Sequence, residues 1–134
     1  MKKTKKLTGI VAAGLSLCIS AALMAGAADF YKAGYDLEIT KDMDNTYSSL
    51  LQGAKQVKYK GGNYSSSDQT MTLKVKKLKK GIFFTDVNKK AKPGEAIPEG
   101  YSTEENDARS WELSLHASGL GSDVNGWGSM ISVK

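Results

Sequence analysis

Five lysines fall within seven residues of this 134-residue chain: Lys74, Lys76, Lys77, Lys79 and Lys80. Lys89, Lys90 and Lys92 follow them, and Asp86 alone opposes their charge. Clustered ammonium groups of this kind attract anionic surfaces by screened Coulomb forces, so the first five form a candidate binding patch. Its expected partners are an anionic cell-wall polymer such as teichoic acid, phospholipid head groups, or a carboxylate-rich envelope protein. The same lysines along a strand would also discourage edge-to-edge pairing. Glu95, Glu99, Glu104, Glu105 and Asp107 come next without an intervening base and read as a solvated loop. Nucleic acid is not the expected partner, because no recognition motif accompanies the lysines and the adjoining Ile82-Phe83-Phe84 run reads as core.

Other residues that could do chemistry are sparse. His116 is the single histidine, and no serine near an acid lies in a nucleophile-elbow pattern that would use it as a base. It reads as an ordinary exposed histidine. One histidine without a cysteine in the working domain also leaves too few ligands for zinc. Asp42, Asp44 and Thr46 begin like a calcium loop, but the sixth position is Tyr47 and the twelfth is Gly53 where glycine and glutamate are required. Asp123, Asn125 and Gly126 make a shorter match that a glycine-rich turn equally accounts for. The residues therefore predict neither an enzyme nor a cofactor.

The elements that position these residues begin beyond an export signal. Lys2, Lys3, Lys5 and Lys6 precede an almost uncharged run from Leu7 to Ala28. Ala25 and Ala27 provide the small-x-small pattern of a peptidase site, so cleavage is expected between Ala27 and Ala28. The competing reading is an uncleaved anchor, since the run approaches the roughly 20 residues that span a bilayer. After cleavage no stable membrane span is expected. Cys18 follows Leu17, a poor context for lipid attachment, and it is the only cysteine, so residues 28–134 can form no disulfide. Four of the 19 basic residues and none of the 14 acidic ones belong to residues 1–27, which leaves 15 against 14 and a net charge of +1.

Residues 28–134 read as a single β domain. Tyr31, Ala33, Tyr35, Leu37 and Ile39 alternate with polar residues, as do Val57 and Tyr59, then Met71, Leu73 and Val75, then Trp111, Leu113 and Leu115. Such period-two patterning marks strands with one buried face. Trp127 to Val133 reads as a last strand, and Trp111 and Trp127 as core anchors. Glycine, proline and serine clusters separate these segments. Tyr47, Leu50, Leu51 and Ala54 fall at helical spacing and predict one short helix over Thr46–Ala54, weakened by Gly53. Lys76 and Lys77 interrupt the alternation between Val75 and Leu78, so the strand either ends there or carries a bulge. Six or seven strands without βαβ spacing predict an all-β, small antiparallel β-sandwich.

The overall plan and the stretch Ser110-Trp111-Glu112-Leu113-Ser114-Leu115, leading to Val124-Asn125-Gly126-Trp127, resemble small secreted proteins of Gram-positive bacteria. Some of these are of unknown function and others are similar to lactococcin-type bacteriocins. The resemblance implies a β-sandwich and assigns no functional residue. The sequence thus predicts a secreted, non-enzymatic interaction module of the extracellular space or cell envelope, with a bacteriocin-like antibacterial protein as the alternative.

Overall fold

The computed structural model describes residues 34–119 and 123–134. The expected export signal, the expected cut between Ala27 and Ala28, and Tyr31 to Ala33 of the first expected strand lie outside them. Nine strands are described: β1 (Gly34–Ile39), β2 (Asn45–Tyr47), β3 (Leu51–Ala54), β4 (Val57–Asn63), β5 (Met71–Lys79), β6 (Ile82–Ala91), β7 (Ala96–Tyr101), β8 (Arg109–Ala117) and β9 (Gly126–Ser132).

They form two antiparallel sheets, ordered β1-β9-β4-β7 and β2-β8-β5-β6, with β3 also on β8. β2 and β3 lie along β8 in succession, Thr46 opposite Leu115 and Leu51 opposite Trp111, and so fill the place of one strand. Counted that way, two four-stranded sheets face each other in the strand order of a jelly roll, a double Greek key. The expected all-β sandwich is therefore what the chain forms.

Alternation builds the core. Met71, Leu73 and Val75 of β5 and Trp111, Leu113 and Leu115 of β8 are wholly buried. The indole N–H of Trp111 donates to the Ala54 carbonyl at 2.8 Å, which satisfies the polar atom that the buried ring carries inward. The facing sheet makes room for these side chains with glycine. Gly61 and Gly128 are paired across β4 and β9, and a Cβ on Gly128 would stand 2.8 Å from Leu115 Cδ2. Trp127 does not join Trp111 in the core. Gly126, Gly128 and Met130 take the buried positions of β9, and Trp127 lies half-buried on the other face, beside Gly62.

The expected helix over Thr46–Ala54 is instead two strands. Gly53 has φ +80°, and the β3–β8 register shifts between Leu51 and Ala54. That bulge lets residues three apart, Leu51 and Ala54, both point inward, which reproduces helical spacing in a strand. The gap between β2 and β3 is bridged by Ser48. Its amide donates to the Leu113 carbonyl at 2.8 Å, and its hydroxyl accepts from the Leu113 amide at 2.9 Å. Ser102 does the same for Val57 in the other sheet, through a 2.9 Å amide bond and a 3.0 Å hydroxyl bond.

β5 does not end at Lys76. It pairs with β8 in unbroken register from Met71–Ala117 to Leu78–Ser110, and the irregularity falls in its other neighbour, where Val75 opposes Val87 and Lys76 opposes Thr85. Asp86 is the extra residue. Among the described residues the nine strands run from Gly34 to Ser132 and enclose one buried apolar core.

Candidate functional site

The pleat of β5 divides the five lysines instead of gathering them. Lys74 and Lys76 stand on the outer face of the β2-β8-β5-β6 sheet, alternating with the buried Leu73 and Val75. Lys77, opposite Trp111, follows Val75 on the inward side. There its ammonium group lies 3.0 Å from Asp86 Oδ1, donates to Thr103 Oγ1 at 3.1 Å and binds Glu105. Lys79 reaches the same Glu105 at 3.7 Å, as does Arg109 at 3.4 Å. Lys80 forms the β5–β6 turn with Gly81.

Lys77 is thus a structural cation. Burial works against its charge, but hydrogen bonds and attraction from Glu105 and Asp86 outweigh it and hold its pKa above the ordinary value. Burial would likewise raise the Asp86 carboxyl, yet the Thr103 hydroxyl and amide at 2.7 and 2.9 Å, together with Lys77, bring it below its usual range. The hydrogen bond from Lys77 is the main cause that lowers Glu105. The acidic stretch is correspondingly not a free loop. Glu99 pairs with Lys58 at 3.4 Å, Glu104 with Lys134 at 2.9 Å, and Glu95 accepts from the Lys92 amide at 2.7 Å.

A different group of residues converges on the outer face. Thr72 is flanked directly by Lys90 of β6 and His116 of β8, while Lys74 in the next row is flanked by Asn88 and Ser114. A short, buried threonine between long neighbours leaves a hollow. The resulting depression of about 440 Å³ is lined by Thr70, Thr72, Lys74, Asn88, Lys90, His116, Ala117 and Ser118. Its lining includes two ammonium groups, an imidazole, three hydroxyls and a carboxamide, and no carboxylate. Glu112 lies further along the sheet, opposite Lys76.

His116 is half-buried, not freely exposed. One ring nitrogen is 2.9 Å from Ser114 Oγ, and Tyr47 meets the ring edge-on at a centroid distance of 5.6 Å. Burial is the main cause that lowers its pKa, with Lys74 and Lys76 adding repulsion. A negative charge beside the ring would act in the opposite sense and favour its charged form. Sequence alternation placed Thr72, Lys74 and His116 on polar faces, but only strand pairing brings them together with Lys90. Among the described residues no group of three or more histidine, cysteine or acidic side chains is placed to hold a metal.

The fold and site together define a jelly-roll domain with a cationic hollow on one sheet. No protein-family model matches the chain, and no curated protein matches it. Solved structures of similar outline include the Yersinia pseudotuberculosis-derived mitogen, 12% identical, covering 77% of this chain and 86% of that one at a TM-score of 0.44. The Drosophila NLP-core is 13% identical over 75% of this chain and 98% of that one, at 0.42. The CBM22-1–GH10 modules of Clostridium thermocellum xylanase 10B are 17% identical over 75% of this chain but 25% of that one, also at 0.42. At these scores the likeness carries no inference about function.

Proposed function

We propose that this protein is a secreted, non-enzymatic binding module that holds an anionic polymer of the cell envelope in the hollow over Thr72. The observation that supports this is the convergence of Lys74, Lys90 and His116 on one depression whose lining has hydrogen-bond donors and no carboxylate. Ammonium groups and hydroxyls lining one hollow can bind phosphate or carboxylate oxygens by charge-assisted hydrogen bonds. The export signal read in residues 1–27 supports a place outside the cell, where phosphate-bearing wall polymers are abundant ligands.

Titration of residues 28–134 with poly(glycerol phosphate) tests the reading. Binding that falls at least about tenfold in Lys74→Glu/Lys90→Glu, and that persists in Lys58→Glu on the opposite sheet, is the expected result. Equal affinity in all three proteins would refute it.

A further inference from the structure

The β5–β6 hairpin ends in a second feature that the anion hollow does not use. Pairing of β5 with β8 stops at Leu78–Ser110, so the Lys79–Ile82 pair and the Lys80-Gly81 turn project beyond the neighbouring strand. Ile82 on that projection is 58% exposed, and Phe83 and Phe84, just behind it on β6 opposite Leu78 and Lys77, are 44% and 46% exposed. A strand in a sandwich normally hides one face. Here the alternation puts Phe83 on the outer side with Leu78, while Ile82 and Phe84 lie on the opposite side, facing Lys79 and Lys77. Both sides of the hairpin tip are therefore apolar and exposed.

A protein docking against one face would leave the other wet. A medium that surrounds the tip would cover both. The flanking charge indicates which medium: Lys76, Lys79 and Lys80 accompany the apolar side chains and residues 78–85 contain no acid, although Lys79 also reaches Glu105 at 3.7 Å and Lys76 stands opposite Glu112. Apolar side chains interleaved with lysines near the end of a hairpin suit an anionic bilayer surface, where long lysine side chains lie along the acyl boundary and carry their charge back to the phosphates.

We propose that the Ile82-Phe83-Phe84 tip inserts into the interface of an anionic lipid membrane, with Lys79 and Lys80 against the lipid phosphates. This is peripheral attachment by a loop; no helix among the described residues is long and apolar enough to cross a membrane. The inference is independent of the anion hollow, which lies around Thr72 towards the other end of the β5–β6 hairpin and uses none of these residues.

Co-sedimentation of residues 28–134 with phosphatidylglycerol/phosphatidylcholine vesicles tests it, with pure phosphatidylcholine vesicles alongside. Binding is expected to the anionic vesicles. It should fall at least about tenfold in Phe83→Ser/Phe84→Ser and about fivefold for each of Lys79→Gln and Lys80→Gln, while Lys74→Glu/Lys90→Glu retains more than half. In Phe83→Trp, the added emission should shift to the blue on binding and be quenched by brominated lipid. Absence of binding to anionic vesicles, binding that survives Phe83→Ser/Phe84→Ser, or an unquenched Trp at position 83 would each overturn the proposal. So would a concentration-dependent dimer that forms without lipid and is abolished by the same double substitution, since the tip would then be a contact between copies. Loss of polymer binding in Lys74→Glu/Lys90→Glu with vesicle binding intact separates the two sites.

Discussion

Lys77 and Trp111 lie directly opposite each other on β5 and β8, at neighbouring positions on the inward side of one sheet. One is a wholly buried indole and the other an ammonium group with its side chain 14% exposed. The pair marks where the apolar core gives way to a polar clasp. Asp86 of β6 and Thr103 and Glu105 of the β7–β8 connection all attach to Lys77, so the connection is fastened to the opposite sheet.

Removing the cation should be costly, because two poorly solvated carboxylates are left short of a partner. Lys77→Met is expected to lower stability by about 2–3 kcal/mol in urea unfolding. Adding Asp86→Asn and Glu105→Gln to it should recover part of the loss, since the uncompensated charges disappear. No recovery would show that the clasp acts through packing alone.

Asp86 and Glu105 both have depressed pKa values in the fold. Groups of that kind contribute stability that is present above their unfolded pKa values, near 4, and lost as pH falls through the lower folded values. Unfolding midpoints should therefore decline with acid below about pH 4. The decline should be shallower in Lys77→Met, whose carboxylates no longer have the partner that lowers them. Parallel pH profiles for the two proteins would contradict this account.

Lys80 and Gly81 have φ values of +52° and +77°, the double left-handed turn that joins strands in a two-residue hairpin. Lysine is poorly suited to that conformation, whereas asparagine adopts it readily. Lys80→Asn should raise stability by about 0.5–1 kcal/mol, and Gly81→Ala should lower it by about 1–2 kcal/mol. Thermal unfolding of the two variants distinguishes their opposite signs.

His116 supplies a pH test of the anion hollow. Its pKa lies below the ordinary histidine value because burial, then Lys74 and Lys76, disfavour the charged ring. Lys90 stands across Thr72 from it, Asn45 and Tyr47 of β2 flank it without charge, and Glu112 is the acid on its own strand. A bound phosphate would favour protonation, so affinity for poly(glycerol phosphate) should rise as pH falls from about 7 to 5. Binding should be accompanied by proton uptake over that range, and His116→Gln should flatten the profile.

Ser48 and Ser102 each extend a ladder with a hydroxyl where the backbone leaves off. Ser48→Ala and Ser102→Ala each strand a buried amide and should cost about 1–3 kcal/mol. Exchange of the Leu113 and Val57 amide protons should accelerate in the corresponding variant.

Strand faces were legible in the sequence wherever apolar and polar residues alternate, as in Met71 to Val75 and Trp111 to Leu115. The reading failed where one glycine reset the count: Gly53 gives Leu51 and Ala54 the spacing of a helix. It also placed Phe83 and Phe84 in a core that ends short of them. The role of Lys77 was hidden for another reason. Its partner Glu105 is 28 positions away, and nothing local distinguishes it from Lys76. The hollow combines residues of β5, β6 and β8, so its composition depends on strand order, which alternation does not encode.

Pairing along the β5–β6 hairpin gives Asp86 a particular standing. Residues 76 to 79 match 85 to 82, and residues 71 to 75 match 91 to 87, leaving Asp86 surplus to the ladder on both sides. A deletion at this one position would close the hairpin without moving any other pair, yet it would remove a counter-ion of Lys77. The bulge is thus an insertion that the sheet tolerates without re-registering, by which a carboxylate could be added beneath an existing lysine in a single genetic step.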